Sequence, residues 1–227
     1  MKWPRFPLME SAVNDPKEAF RGIPVTVLAD AMDRTQILSP DLRHVCGPRQ
    51  MIGRAFTVLT LPGDNLAVFQ ALDAVRPGEV LVVASDGQSA ATSALVGEWV
   101  GRAALQRGVA GIVVDGYVRD SAELSGLGSL SVFARGIMAR GPARTSQGRL
   151  GWPVACGGVP VLTGDLVVAD EDGIAVVPAL ALGAVLKAAR DRLEGEDRIR
   201  TGLERGEMLT RMLGIPPYPH EPSREGS

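Results

Sequence analysis

Four charged side chains have the types and spacing best suited to chemistry: Glu98, Arg119, Asp120 and Glu123. Carboxylates beside an arginine are the usual materials of a hard-metal site that handles an acidic substrate. Arg119 can grip a carboxylate through two parallel hydrogen bonds. If a helix opens at Glu98, the unpaired N–H groups of Trp99 and Val100 add an anion site. Three carboxylates outweigh one arginine, and spacing alone leaves two ways to settle the imbalance. Either a divalent cation sits among them, or Glu98 favours the helix dipole while Arg119, Asp120 and Glu123 form a solvated ion-pair cluster.

The elements around these residues must bring them together. Val80 to Ala84 reads as a strand, and Ser85-Asp-Gly87 starts a small-residue loop ending at Gly97-Glu98. Val100, Ala103, Ala104 and Arg107 then keep a 3.6-residue period until Gly108 stops the helix. Val109 to Val114 is a second strand that closes on Asp115-Gly116, and Ser121 to Leu124 reads as a helical turn. If the two strands are parallel neighbours, their carboxyl ends and the amino end of the helix face one edge of the sheet. The lengths agree, about 16 Å of helix against about 20 Å of strand. Glu98 should therefore meet Arg119-Asp120 across twenty intervening residues.

The rest of the chain supplies the scaffold. A short helix from Pro16 precedes Gly22-Ile-Pro-Val-Thr26, whose threonine hydroxyl is placed to cap a turn over Val27 to Met32. Gly53 to Leu59 is a strand, and Asn65 to Val75 is a helix with Leu66, Phe69, Leu72 and Val75 on one face. Ser131 to Ala134 is another strand, and Arg135 to Gly158 is expected to be a long ordered loop with a strand near Val154. Val159 to Val161 leads to a hairpin of Asp165 to Ala169 and Ile174 to Val177, its Asp170-Glu-Asp-Gly173 tip a plain turn rather than a calcium loop. A helix runs from Ala179 toward Arg205. No linker or repeat interrupts this pattern. The expected layout is an extension over residues 1–15, one α/β domain over 16–207 and a tail over 208–227.

Composition removes several chemistries. The 227 residues are 45% hydrophobic and 22% charged, a globular profile. A formal charge of -2 gives no electrostatic case for a nucleic-acid or membrane partner and suits a small molecule. The uncharged run Gly173 to Leu186, interrupted by Pro178, falls short of the roughly 20 apolar residues of a spanning helix. Pro4, Arg5 and Pro7 break any leader pattern, so a cytoplasmic location is expected. Cys46 and Cys156 form no Cys-x-x-Cys and are expected to be buried thiols. His44 and His220 are too few for a triad or a histidine-rich metal site, and Lys2, Lys17 and Lys187 offer no candidate for a Schiff base. No phosphate-binding loop is complete.

Gly97-Glu98-x20-Arg119-Asp120-x2-Glu123 resembles the motif of metal-dependent pyruvate aldolases that cleave 4-hydroxy-4-methyl-2-oxoglutarate and 4-carboxy-4-hydroxy-2-oxoadipate, enzymes that share a fold with the RraA regulators of ribonuclease E. The likeness extends to Gly22-Ile-Pro with Asp30-Ala31, to Arg107 through Gly116, to Phe133-Ala-Arg-Gly136 and to Gly164 through Gly173 ending at Pro178. The resemblance implies a single-domain β/β/α sandwich of the swivelling-domain type, assembled as a trimer or a pair of trimers with clefts between subunits. It implies that Asp120 ligates Mg²⁺ or Mn²⁺, that Glu98 and Glu123 hold the ion's waters, and that Arg119 with the amides of Trp99 and Val100 binds the pyruvyl carboxylate. Family members borrow a carboxylate from a neighbouring subunit. Glu196 is the candidate here, with an ordinary exposed helix glutamate as the other reading. Glu123 favours a lyase, because the regulators tend to lack an acid there, whereas Glu98 departs from the aspartate common in the aldolases. The implied activity is aldol cleavage to pyruvate with accompanying oxaloacetate decarboxylation. The alternative is a non-catalytic regulator of ribonuclease activity acting by protein binding.

Overall fold

The computed structural model describes residues 13–85 and 93–216, so Lys2, His220 and most of the loop that follows Ser85 lie outside it. In chain order the elements are α1 (Pro16–Ala19), α2 (Val25–Ala31), β1 (Arg43–Cys46), β2 (Met51–Thr60), α3 (Leu66–Leu72), β3 (Glu79–Ser85), β4 (Ala94–Val96), α4 (Glu98–Gln106), β5 (Gly111–Val118), α5 (Ser121–Gly126), β6 (Ser131–Ile137), β7 (Arg149–Leu150), β8 (Val154–Cys156), β9 (Val159–Val161), β10 (Leu166–Ala169), β11 (Ile174–Val177), α6 (Leu182–Glu204) and α7 (Leu209–Met212). The main sheet has the order β1-β6-β5-β3-β2-β10-β11, with β4 paired to β5 and β7 to β2. Strands β2, β3, β5 and β6 run parallel, and antiparallel β1, β10 and β11 flank them.

The chain forms one α/β domain in three layers. Helices α3, α4 and α5 cover one face of the sheet around Phe56, Leu81, Val100, Ile112, Leu124 and Leu130. The β8–β9 hairpin covers the other face over Val82, Val113 and Phe133. A third apolar cluster joins α1, α2 and α6 to β10 and β11, with Phe20, Leu28, Leu166 and Leu182 fully buried. The inner strands are β-branched and buried on both faces, as the covered parallel part of a sheet requires.

Strands β3 and β5 are the expected parallel neighbours, registered from Val80 opposite Gly111 to Ala84 opposite Asp115. Two details differ from the sequence reading. Strand β5 does not stop at Asp115-Gly116 but runs to Val118, with its pairing to β6 irregular between Val114 and Tyr117. Its turn-like dipeptide is held in the sheet because Asp115 accepts hydrogen bonds from Arg135 and from the Gly157 amide (2.7 Å). Strand β4, unanticipated, occupies the ground beyond the end of β3, pairing Ala94 with Tyr117 and Val96 with Val118. It is β4, rather than the β3 loop, that launches α4.

Other expectations shift for equally local reasons. Helix α2 begins at Val25, so Thr26 lies inside it and caps nothing; the Val25 amide instead donates to Asp170 Oδ2 at 2.8 Å. The Asp170–Gly173 turn is the plain one expected, closed by the Asp170 amide on the Gly173 carbonyl at 3.1 Å. Helix α3 buries Ala67, Val68, Ala71 and Leu72 instead of a Leu66–Phe69 face, leaving Phe69 half-buried toward the edge of the sheet. Strand β1 has no clear apolar run and was not anticipated. The segment after β6 carries the expected strand near Val154 as β8 and, in addition, the unanticipated β7. Within the expected tail, α7 packs back on α6.

Helices α4 and α5 set the distance between Glu98 and Asp120, and they meet at Gly101. A Cβ on Gly101 would lie 2.5 Å from Leu124 Cδ2 and 3.0 Å from Leu127 Cδ1. Leu124 is fully buried and contributes about 1.5–3 kcal/mol by that burial. Gly101→Leu is expected to overpack this seam by about 1–3 kcal/mol, which the roughly 1 kcal/mol gained in helix propensity offsets only in part. Thermal denaturation should show a lower melting temperature than wild type.

Candidate active site

The cleft lies at the carboxyl edge of the parallel strands, where β4 enters α4 and β5 enters α5. Asp120 has a left-handed backbone, φ 55° and ψ 45°, at the residue before α5. Aspartate tolerates this region better than most residues. The bend turns its carboxylate away from its own helix and onto α4: the Glu98 amide donates to Asp120 Oδ2 at 3.2 Å. Arg119 Nε lies 3.4 Å from the same oxygen. The Arg119 amide donates to the Val96 carbonyl at 2.9 Å, tying the arginine's backbone to β4. The Glu98 backbone therefore meets the Arg119-Asp120 pair at one mouth, while the Glu98 carboxylate is not part of the cleft lining.

Two glycines make room for the arginine. A Cβ on Gly97 would sit 2.6 Å from Asp120 Oδ2 and 3.0 Å from Arg119 Cγ, and one on Gly141 would sit 2.5 Å from an Arg119 terminal nitrogen. Gly97 has an ordinary extended backbone, so the demand there is space alone. The amides of Trp99 and Val100, in the first turn of α4, have no acceptor among the described residues. They remain available to an anion.

The remaining expected residues sit differently. Glu98 is paired with Arg102 (Arg102 Nε to Glu98 Oε1, 2.7 Å), one turn further along α4. The sequence carried that signal, an i, i+4 pair on a helix. Glu123 is exposed in the first turn of α5 and does not line the cleft. Glu196 lies on α6, 3.7 Å from Arg192, which also pairs with Asp30. It is absent from the cleft lining of its own chain. The described residues contain no group of three or more acidic, histidine or cysteine side chains arranged to hold a metal ion. The excess of negative charge anticipated around Arg119 is thus dispersed: Arg102 answers Glu98 and solvent answers Glu123.

The lining is Asn65, Phe69, Ala94, Val96, Gly97, Trp99, Val100, Arg119, Asp120, Pro142 and Arg144. The sequence reading missed three of these that bear on chemistry. Arg144 lies over the Phe69 ring at 4.6 Å and the Trp99 ring at 5.7 Å. Asn65 donates through Nδ2 to the Leu95 carbonyl at 2.9 Å, while its buried Oδ1 has no partner. Phe69 belongs to the helix whose apolar face was assigned differently. Arg144 comes from a segment with no periodic pattern and gave no signal.

Asp64 fixes that segment. Its Oδ2 accepts from the Thr145 amide (2.7 Å), the Ser146 amide (3.0 Å) and the Thr145 hydroxyl (3.2 Å), and its Oδ1 accepts from the Leu66 amide (2.8 Å) at the start of α3. Burial pushes the Asp64 pKa up, but hydrogen bonds from the Leu66, Thr145 and Ser146 amides and the Thr145 hydroxyl outweigh it, and the pKa settles below the ordinary carboxylate value.

Comparison with known proteins gives this cleft a lineage. The family model described as RraA-like, Aldolase/RraA, matches residues 25–176. The chain belongs to this family. A relative from Halalkalibacterium halodurans, provisionally named a 4-hydroxy-4-methyl-2-oxoglutarate aldolase, is 36% identical over 181 residues, covering 80% of this chain and 84% of its own. A relative of the same provisional name from Deinococcus radiodurans is 38% identical, covering 69% of this chain and 96% of its own. The solved structure of Streptomyces coelicolor RraAS2, described as an unusual member of the RNase ES inhibitor RraA family, superposes with a TM-score of 0.72 at 30% identity, covering 83% of this chain and 98% of its own. The fold expected from the motif is therefore the family's own. No helix among the described residues is long and apolar enough to cross a membrane.

Two predictions follow from this geometry. Gly97→Ala should leave the melting temperature nearly unchanged but displace Asp120 and Arg119, with a loss of turnover on the order of 100-fold, read by steady-state kinetics beside thermal melts. For Asp64, a lowered folded-state pKa means that its contribution to stability is present above the unfolded carboxylate value of about 3.9 and is lost as pH falls through the folded value. Asp64→Asn should flatten that acid limb in melting curves recorded across pH.

Proposed function

We propose that the chain is a divalent-metal-dependent class II lyase that cleaves 4-hydroxy-2-oxo acids to pyruvate, with 4-hydroxy-4-methyl-2-oxoglutarate or 4-carboxy-4-hydroxy-2-oxoadipate as the substrate type. The observation that carries the reading is the Asp120 carboxylate anchored on the Glu98 amide beside Arg119, with two unpaired amides next to it. The provisional aldolase names of the relatives support the same reaction class.

The residues present fit a small hydrated dication. Asp120 Oδ2 is engaged, while Oδ1 has no partner among the described residues and the side chain is 37% exposed. A single directly bound carboxylate, with others reached through water, suits Mg²⁺ or Mn²⁺ better than an all-protein cage would. Asp120 would hold the ion, Glu98 and Glu123 would hold its waters, and Glu196 of a neighbouring copy would approach in a trimer or hexamer. When bound, the ion supplies Lewis acidity toward the 2-oxo and carboxylate oxygens.

The chain's own groups do the rest. The Trp99 and Val100 amides and the Arg119 guanidinium receive the substrate's C1 carboxylate and orient the 2-oxo group. Glu98 Oε2, left over by the pairing with Arg102, takes the proton of the C4 hydroxyl directly or through one water. The C3–C4 bond then breaks, its electron pair passes to the 2-oxo oxygen, and the carbonyl fragment leaves. Arg119 stabilises the pyruvate enolate where the charge develops. Protonation at C3, by the proton that Glu98 took or by a water that it recharges, completes pyruvate and restores the Glu98 carboxylate. The same enolate forms when oxaloacetate loses CO₂, so decarboxylation belongs to the proposal. A cytoplasmic location and a small-molecule partner, with neither nucleic acid nor membrane, complete it.

A second reading, a non-catalytic regulator acting by protein binding, draws on the likeness to the RraA inhibitor structures and on the exposed position of Glu123. Pyruvate release followed with a coupled dehydrogenase separates the two. The lyase reading expects EDTA-sensitive turnover, with Arg119→Ala and Asp120→Asn each lowering kcat by about 10²–10³-fold. Turnover that survives both substitutions and chelation would overturn it, and absence of turnover across the substrate panel would favour the regulator.

A further inference from the structure

We propose that Arg144 is the anchor for the substrate's distal carboxylate and that Asp64 is the positioning residue that sets it, so that discrimination between 2-oxo diacids and 2-oxo monoacids rests on this one arginine. The inference rests on the lyase reading for the chemical end of the cleft and deepens it at the other end.

Charge is the first argument. Arg119, Asp120 and Arg144 are the charged residues lining the cleft, two cations against one carboxylate. Asp120 is already engaged by Arg119 and the Glu98 amide. Arg144 has no carboxylate within ion-pair distance among the described residues. Its guanidinium rests on two aromatic faces, which orient it flat without consuming its hydrogen-bond donors. A stacked arginine with free donors is suited to a bidentate carboxylate.

The second argument is how much structure holds the residue in place. Arg144 itself is exposed, yet the segment bearing it is tied to the scaffold by a buried carboxylate. Asp64 is only 4% exposed and directs four hydrogen bonds, three of them to Thr145 and Ser146. Backbone bonds add to this: the Ala143 amide donates to the Gly63 carbonyl (2.8 Å), and the Asn65 amide donates to the Ala143 carbonyl (3.0 Å). Arg144 thus sits between two fixed points, residues 143 and 145, and its place relative to α4 is preset.

Reach is the third. The C1 end of the substrate is received by the Trp99 and Val100 amides, and Arg144 lies against the ring of that same tryptophan. A five-carbon diacid spans roughly 5 Å between its carboxyl carbons at about 1.5 Å per bond, and a hydrogen bond of about 2.9 Å at each end extends this. Both ends line one cleft, with Trp99 and Val100 on one side and Arg144 stacked on the Trp99 ring at 5.7 Å, so in the proposed pose such a ligand lies along that ring. A monoacid of equal length leaves Arg144 unanswered.

The test uses non-cleavable probes and the intact chain in Mg²⁺ buffer. Calorimetry should show 2-oxoglutarate binding about 10- to 100-fold more tightly than 2-oxopentanoate, and Arg144→Met should remove most of that ratio. Equal affinity of the two probes for wild type, or an Arg144→Met protein that retains the preference or loses both ligands alike, would overturn the assignment. Exchange of pyruvate methyl protons with D₂O, followed by NMR, reports the chemical end separately, because pyruvate has no distal group. Wild type without exchange would sink the lyase reading, whereas exchange together with an unchanged probe ratio in Arg144→Met would sink only the role of Arg144.

Discussion

A single carboxylate oxygen organises the cleft. Asp120 Oδ2 accepts from the first amide of α4 and faces Arg119, so one atom ties the end of β5 to the start of a helix twenty-odd residues earlier in the chain. The left-handed backbone at Asp120 makes this possible, because a right-handed residue there would direct the side chain along its own helix. The glycine at 97 and the close α4–α5 seam at Gly101 exist on this account to let the two ends approach. The β3–β5 register and the short β4 place them within reach.

Much of this frame could be read from the sequence, and the reason is periodicity. The β-branched runs of β3 and β5 and the 3.6-residue spacing of α4 are local patterns. The chirality of parallel connections then leaves little freedom in how they are arranged. The approach of the start of α4 to Arg119 and Asp120 follows from those three elements, and β4 fixes its exact place. The family's motif sharpened the reading by giving roles to residues that spacing had merely brought together.

What the sequence hid was long-range or aperiodic. The cap of α2 comes from Asp170, 145 residues away, so the nearby threonine was the plausible but wrong local choice. The turn-like Asp115-Gly116 stays in a strand because Arg135 and the Gly157 amide answer the aspartate, partners no local window contains. Asp64 and the Thr145 and Ser146 amides that flank Arg144 lie about eighty residues apart, and a bond to a backbone amide leaves no trace in side-chain patterns. Of the expected α3 face Leu72 and Val75 are buried, but Leu66 and Phe69 are not, because Ala67, Val68 and Ala71 satisfy a helical period with Leu72 equally well.

The strap at 142–146 has a consequence for how such proteins diversify. Its attachment to the scaffold is made by backbone amides and one threonine hydroxyl, while the side chains at 142 and 144 face the opening and support no core packing. Natural variation can exchange those two side chains while the anchoring hydrogen bonds persist. A change of ligand preference is thus sterically cheap at the strap, whereas Arg119, packed against Gly97 and Gly141, leaves no such room.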